Sequence, residues 1–196
     1  ETSTSQDPVS YYIDHTIYTG RPADTTGRLP KEIRTYDLLD SLGIAYARAD
    51  HDTLPTMEAC QEVGNLLGIE ICKNLFLRNT QKTAFYLLIL PGSKKFKTAA
   101  LSKQIGSARL SFAEPEFMEQ YLNITPGSVS VLGLMNDPEN KVRLLIDKDI
   151  LKNHPYFGCH PCINTSSLKF RTEDLLNKIL PAIHHDYTMV DLPYAE

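Results

Sequence analysis

Four short stretches of this 196-residue sequence carry groups suited to chemistry. The first is Lys73-Asn74, a lysine beside a carboxamide within the apolar run Ile71, Cys72, Leu75, Phe76 and Leu77. A lysine held next to a core layer is either paired or functional, and the residue alone leaves both readings open. The second is Thr125-Pro126-Gly127-Ser128-Val129-Ser130. A turn that enters a strand there exposes backbone N–H groups able to hold a carbonyl or phosphate oxygen, and an ordinary turn accounts for the same residues. The third runs from Gly158 to Thr165, where His160-Pro161 sets an imidazole rigidly as a donor, a base or a metal ligand. Cys159 and Cys162 have C-x-x-C spacing. A structural zinc site wants four ligands, and Cys60 and Cys72 do not form a second pair. A thioredoxin-like site would open a helix, which Pro161 and the strand-like residues after it do not suit. The fourth is Lys94-Lys95-Phe96-Lys97, which suits a nucleic-acid backbone or a base, or equally a solvated loop.

The elements that must position these stretches follow from periodicity and breakers. Residues 9–30 show no period and read as an extended arm. Pro30 opens a helix carrying Ile33, Tyr36, Leu38, Leu39 and Leu42, which Gly43 stops. Ile44 to Ala49 is a strand candidate, and Thr56 caps a second helix that ends at Gly68. Cys72 to Arg78 and Ala84 to Leu90 form a hairpin across the polar turn at 79–83. Helices are expected at Thr98 to Ile105 and Glu114 to Leu122, and strands at Val129 to Met135, Lys141 to Asp147 and Ser166 to Phe170. A helical turn is expected from Asp147 to Leu151. His154 to Thr165 reads as irregular. Thr172 caps a last helix ended by Pro181, and Tyr187 to Val190 can add an edge strand. Hairpins without a regular βαβ rhythm indicate an α+β, or mixed α/β, domain with one largely antiparallel sheet surrounded by helices.

Composition sets bounds on what the chain can be. With 42% hydrophobic and 22% charged residues, it can bury a core without disulfide staples. The longest apolar run, Ala84 to Leu90, is strand-sized, so no membrane span is expected. The leader, Glu1 to Pro8, is polar and lacks the regions of an export signal. A flexible leader, a cytoplasmic protein and four reduced cysteines are therefore expected. The net charge is −4, yet Ile71 to Leu110 holds eight basic residues and no acid, which leaves −12 for the remainder. That segment includes Lys73, Lys94, Lys95, Lys97 and Arg109, and suits a local polyanion site. No Walker loop, dinucleotide fingerprint, G-x-S-x-G elbow or H-E-x-x-H pattern occurs.

From about Thr35 to Pro181 the chain resembles the YbaK/prolyl-tRNA-synthetase-associated editing domain family. The resemblance rests on ordered motifs: Cys72-Lys73-Asn74-Leu75-Phe76-Leu77, Ala108-Arg109-Leu110-Ser111-Phe112-Ala113, Thr125-Pro126-Gly127-Ser128-Val129, Ile146-Asp147-Lys148-Asp149, and His160-Pro161 followed by Asn164-Thr165. It is greatest for the free-standing branch similar to Ala-tRNA(Pro) deacylase. The resemblance implies an arm at 1–30, an editing domain at 31–196, and hydrolysis of the ester joining alanine to the terminal adenosine of tRNA(Pro), with no cofactor and no metal. It also implies prolyl-tRNA synthetase as a protein partner.

Lys73 matches the family lysine, Asn74 its neighbour and His160 the histidine of the His-Pro motif. Gly127 and Ser128 match the start of the substrate loop. Val129, Ser130, Val131, Pro161 and Asn164 are expected around the substrate, and Lys94, Lys95, Lys97 and Arg109 against the tRNA. The family loop commonly reads Gly-x-x-x-Pro, and Val131 stands where that proline would be. The chemistry is coherent in itself, since an aminoacyl ester is already activated and needs only a positioned water and charge stabilisation. On this reading Lys73 holds the phosphate or ribose region, the Gly127 and Ser128 N–H groups grip the carbonyl, His160 orients the aminoacyl end or water, and a small pocket excludes proline. Three other functions fit the same residues: editing of Ser-, Thr- or Cys-charged tRNA, a non-catalytic tRNA- or synthetase-binding module, and a Cys/His metal protein.

Overall fold

The computed structural model describes residues 10–194; the polar leader expected at 1–8 lies outside them. The elements, in chain order, are β1 (Tyr18–Thr19), α1 (Pro30–Ser41), β2 (Ala47–Asp50), α2 (Met57–Leu67), β3 (Cys72–Asn79), β4 (Phe85–Pro91), α3 (Thr98–Ile105), β5 (Leu110–Phe112), α4 (Pro115–Leu122), β6 (Val142–Asp147), α5 (Lys148–Asn153), β7 (Tyr156–Cys159), β8 (Ser166–Arg171) and β9 (Tyr187–Val190). Among the described residues, no helix is long and apolar enough to cross a membrane.

Local signals set most boundaries. Pro30 opens α1 where its missing N–H costs nothing. The Thr56 hydroxyl accepts from the Ala59 N–H at 3.1 Å and caps α2, and Gly68 closes that helix with φ +70, a left-handed conformation that glycine takes without strain.

The expected single sheet is in fact two. An antiparallel four-stranded sheet runs β1-β2-β8-β7, and a mixed five-stranded sheet runs β5-β3-β4-β6-β9. β4 pairs antiparallel with β3 and parallel with β6, and β9 joins β6 in parallel as an edge strand. All seven residues of β4 are buried. Phe85, Leu87 and Ile89 enter the main core, shared with α1, α4 and the four-stranded sheet, whereas Tyr86, Leu88 and Leu90 enter a second core on the α3 side. Burial on both faces explains why β4 reads as a continuous apolar run rather than an alternating one.

Other local expectations are also corrected. The strand expected at Val129 to Met135 is a 3-10 helix, Val131–Asn136, started by the Ser130 hydroxyl accepting from the Leu132 N–H at 3.2 Å. Serine at an N-cap offers the backbone an alternative to a strand ladder, and this outweighs the valines. The stretch read as irregular contains β7. Thr172 does not cap the last helix: it lies inside it and donates to the His154 carbonyl at 2.5 Å. That helix is α at Thr172–Asp174, π at Leu175–Ile179 and α at Leu180–Ala182, so Pro181 sits inside it rather than ending it. The widened π turn accommodates a proline that an unbroken α-helix would not.

The arm is anchored to the domain at several points along its described length. Ile13 bridges to His51, β1 pairs with β2, and Arg28 reaches Asp50 at 3.1 Å. Ile13, Ala49, Val63 and Leu67 form a third core between the arm, β2 and α2.

Candidate active site at the seam of two sheets

The two sheets leave an apolar cavity of about 300 Å³ between β3, α2 and β7. Its position follows from strand length. β5 covers β3 only at Leu77–Asn79, because Pro115 starts α4 directly afterwards. The first half of β3 is therefore an open edge, and β7 is the outer strand of the other sheet. Cys72, Lys73, Asn74 and Leu75 all line the cavity. Successive strand side chains point to opposite faces, so four in a row place the cavity at the edge of β3 and not on one face.

Lys73, Asn74 and His160 meet in this cavity, with Met57, Cys60, Val63 and Leu67 of α2 forming an opposite wall. The Lys73 ammonium donates to the Lys94 carbonyl at 2.8 Å. An ammonium has three donors, so two remain for other acceptors. The Asn74 Oδ1 is buried without a partner among the described residues. A buried acceptor left unpaired costs stability unless a ligand satisfies it. Gly158 sits under the Ile69 side chain, and a Cβ there would lie 2.1 Å from the Ile69 Cδ1.

His160 donates from Nδ1 to the Ser166 carbonyl at 2.8 Å, an assignment that follows from the acceptor. Nε2 is then the unprotonated nitrogen. Burial pushes the His160 imidazole below its ordinary value, opposed by the Ser166 bond. His51 stacks edge-on at 6.1 Å, with Nδ1 donating to the Asp52 carbonyl and Nε2 accepting from the Ser167 hydroxyl. It too is lowered by burial. Both imidazoles are bases whose folded pKa is depressed. Their stability contribution is complete above the unfolded value of about 6.5 and is lost as pH falls through the lower folded values. Thermal melts from about pH 7.5 to 5 should show a falling Tm, and His160→Asn should flatten the fall. An unchanged profile in that variant would remove His160 from this role.

Burial raises all four thiols, which favours the protonated form over the nucleophilic thiolate. Burial pushes the Cys72 thiol up to about 12 and the Cys162 thiol up to about 11, and moves Cys159 further in the same direction. Cys162 lies in the main core at φ +64, strained for a residue other than glycine.

The second loop lies elsewhere. Thr125-Pro126-Gly127-Ser128 is a tight turn with Gly127 at φ +88, and the Ser128 N–H donates to the Thr125 carbonyl at 3.1 Å. That N–H is spent inside the turn. Ser128 and Asn164 line a larger, polar cavity of about 490 Å³ beyond His51, walled by Tyr12, Arg28 and Asp50. Gly127 approaches the Asn164 amide, while Ser130 and Val131 are fully buried. Val131 packs in the main core, partly buried Val129 packs against it, and Pro161 is buried. In the polar cavity Arg28 reaches Asp50 at 3.1 Å, and Arg48, outside the cavity lining, reaches the same carboxylate at 2.6 Å. Burial works against Asp50, but Arg28 and the Ser166 hydroxyl hold its carboxyl below the ordinary range.

Of the expected tRNA contacts, Lys95, Lys97 and Arg109 are exposed. Lys94 is not: it is 2% exposed, ion-paired to Asp147 and Asp191 at 3.0 Å each, with the Tyr194 ring 4.8 Å away. The structure corrects that expectation, because a phosphate cannot reach an ammonium already enclosed by two carboxylates. The partners explain the error: Asp147 and Asp191 lie 53 and 97 positions away in the chain. Sequence reasoning also missed His51 and the α2 wall. The only local trace of His51 is a histidine between two aspartates at the end of β2.

A family model described as aminoacyl-tRNA editing domain matches residues 51–178. The chain is 32% identical over 154 residues to Prolyl-tRNA editing protein ProX of Acetoanaerobium sticklandii, covering 79% of this chain and 93% of that protein. It is 28% identical over 142 residues to Prolyl-tRNA synthetase associated domain-containing protein 1 of Bos taurus, covering 70% of this chain and 82% of that protein. A solved structure, of a protein proposed to be a trans-editing enzyme for prolyl tRNA synthetase, shares the fold with a TM-score of 0.59 at 17% identity, over 85% of this chain and 99% of that one.

Proposed function

The chain belongs to the aminoacyl-tRNA editing domain family, and from that premise we propose that it is a deacylase that acts in trans and hydrolyses Ala-tRNA(Pro). The observation that carries the reading is the convergence of Lys73, Asn74 and His160, from two separate segments, on one apolar cavity. Such a cavity accepts an uncharged side chain while the three polar residues that line it meet the ester.

In this reading the aminoacyl group enters the seam cavity. The neutral His160 Nε2 takes a proton from water, whose oxygen attacks the ester carbonyl. The free donors of Lys73 meet the negative charge that develops on the carbonyl oxygen. The carbon–oxygen bond to ribose then breaks, the ribose oxygen takes the proton back, and alanine leaves as the free acid. With the thiols raised by burial, water is the nucleophile in this reading. Ser128 and Asn164 face the ribose from the polar cavity, and Lys95, Lys97 and Arg109 meet backbone phosphates. A substrate of this kind places the protein in the cytoplasm, beside prolyl-tRNA synthetase as the source of the error.

Alanine suits the cavity because Ser167, the hydroxyl residue lining it, is already bonded to His51. A serine or threonine side chain would meet mostly apolar walls, where the unpaired Asn74 Oδ1 is the acceptor open to its hydroxyl. The volume exceeds what one methyl fills, so size alone does not reject larger residues. The test is single-turnover hydrolysis of tRNA(Pro) charged with Ala, Ser, Cys and Pro. We expect the alanyl ester to be cleaved at least about 10-fold faster than the prolyl ester, a ratio within reach of an apolar pocket. Equal rates would overturn the amino-acid assignment, and no hydrolysis of any ester would overturn the reaction.

A further inference from the structure

The open edge of β3 holds a second set of donors and acceptors, in the main chain. Hydrogen-bonding direction alternates along an antiparallel strand. The Asn79 N–H donates to the Ala84 carbonyl at 3.1 Å, and the Gly92 N–H to the Ile71 carbonyl at 3.0 Å. Odd-numbered residues of β3 therefore bond toward β4. Even-numbered residues face the other way, as the Ala113 N–H donating to the Phe76 carbonyl at 2.9 Å shows. β5 pairs with Arg78, Ala113 just after it meets Phe76, and the pairing stops there. At Asn74 no strand lies alongside, and its main-chain N–H and C=O have no partner among the described residues. Both belong to a residue lining the cavity whose own side-chain oxygen is also unpaired.

We propose that the main chain of Asn74 binds the aminoacyl group as a one-residue strand and that its N–H is an oxyanion donor for the hydrolysis. This rests on the deacylase reading above. An aminoacyl ester carries an α-ammonium and a carbonyl on adjacent atoms, the same pair of groups that a residue presents to a neighbouring strand. In a hydrogen-bonded antiparallel pair, two residues exchange both bonds. The Asn74 N–H donates to the ester carbonyl oxygen, and the substrate ammonium donates to the Asn74 carbonyl. Strand addition of this kind takes its affinity from the main chain and leaves selection to the side-chain pocket. The N–H is held by the β3–β4 ladder, so it is already aimed before charge develops on the oxygen. Lys73, one residue earlier, adds its ammonium.

The test replaces the Asn74 residue by its α-hydroxy acid, which exchanges the N–H for an ester oxygen and keeps the side chain. The readouts are Tm, tRNA affinity and the single-turnover rate on Ala-tRNA(Pro). This N–H has no partner among the described residues, but the exchange also makes the preceding Lys73 carbonyl, which faces Leu90 in the β3–β4 ladder, a weaker acceptor; we therefore expect only a small fall in Tm and a rate lower by about 100-fold, the usual effect of losing one oxyanion donor. The same exchange at Leu77, whose N–H bonds toward β4, should lower Tm and leave the rate unchanged at a permissive temperature. A wild-type rate in the position-74 variant would overturn the proposal while wild-type hydrolysis still supports the deacylase reading; a wild type without hydrolysis would sink that reading instead. If the variant does not fold, NMR decides: adding 3′-alanylamino-3′-deoxyadenosine should move the Asn74 amide proton downfield, and an unmoved signal at saturation would overturn the assignment.

Discussion

Lys73→Ala should lower the single-turnover rate of Ala-tRNA(Pro) hydrolysis by about 100- to 1000-fold while the protein stays folded. The size follows from where the charge sits. Lys73 lines a mostly apolar cavity, where a charge acts on a developing oxyanion with less screening than in water. Its partner in the free protein is one carbonyl, that of Lys94, at 2.8 Å. Losing that bond costs about 1 kcal/mol of stability, too little to unfold the chain. Lys73→Met keeps most of the side-chain packing without the charge and should be equally inactive. A folded Lys73→Met variant with more than about a tenth of wild-type activity would show that the ammonium is not the electrostatic element.

Asn74→Leu should make the protein more stable and less active. The carboxamide oxygen is buried and unpaired, so an apolar side chain of similar shape removes a desolvation cost of about 1–3 kcal/mol. For a chain of this size that corresponds to a rise in Tm of several degrees, on the order of 2–4 °C per kcal/mol. The rate should fall by about 10- to 100-fold, because the oxygen is then missing when substrate arrives. Opposite signs in Tm and rate identify a group kept for ligand binding at the expense of folding. A fall in both would mean that the carboxamide is structural, with a partner formed in solution. Calorimetry and single-turnover kinetics on the same preparation decide between them.

How much of this was legible in the sequence depends on the range of the interactions. The β3–β4 hairpin, the Thr56 cap and the Gly68 stop are local, and turn chemistry sets each of them within a few residues. Lys73, Asn74 and His160 stood out as unusual residues in apolar or rigid surroundings, and the structure brings them together. The division into two sheets was not legible. It depends on β5 ending after three residues at the approach to Pro115, and on β7, whose four residues, Tyr-Phe-Gly-Cys, include a strand-weakening glycine and are too few to signal the alternation that the structure shows. The open edge of β3 is a consequence of that division, so it was out of reach as well. Val131 illustrates a different failure. Its position in the loop motif suggested contact with substrate, but the serine cap at Ser130 turns the chain into a 3-10 helix and carries Val131 into the core.

The enclosure of Lys94 has a consequence for how tRNA would be held. A lysine already neutralised by Asp147 and Asp191 does not neutralise a phosphate, so it displaces no counterion from the tRNA. The acid-free segment carries eight positive charges in its sequence, yet the expected tRNA contacts that remain exposed are Lys95, Lys97 and Arg109. Binding through about three phosphates releases few ions and weakens only modestly as salt rises. Such an enzyme would hold its tRNA loosely along the backbone, and selection would fall mainly on the aminoacyl end, the part that distinguishes a wrongly charged tRNA from a correct one.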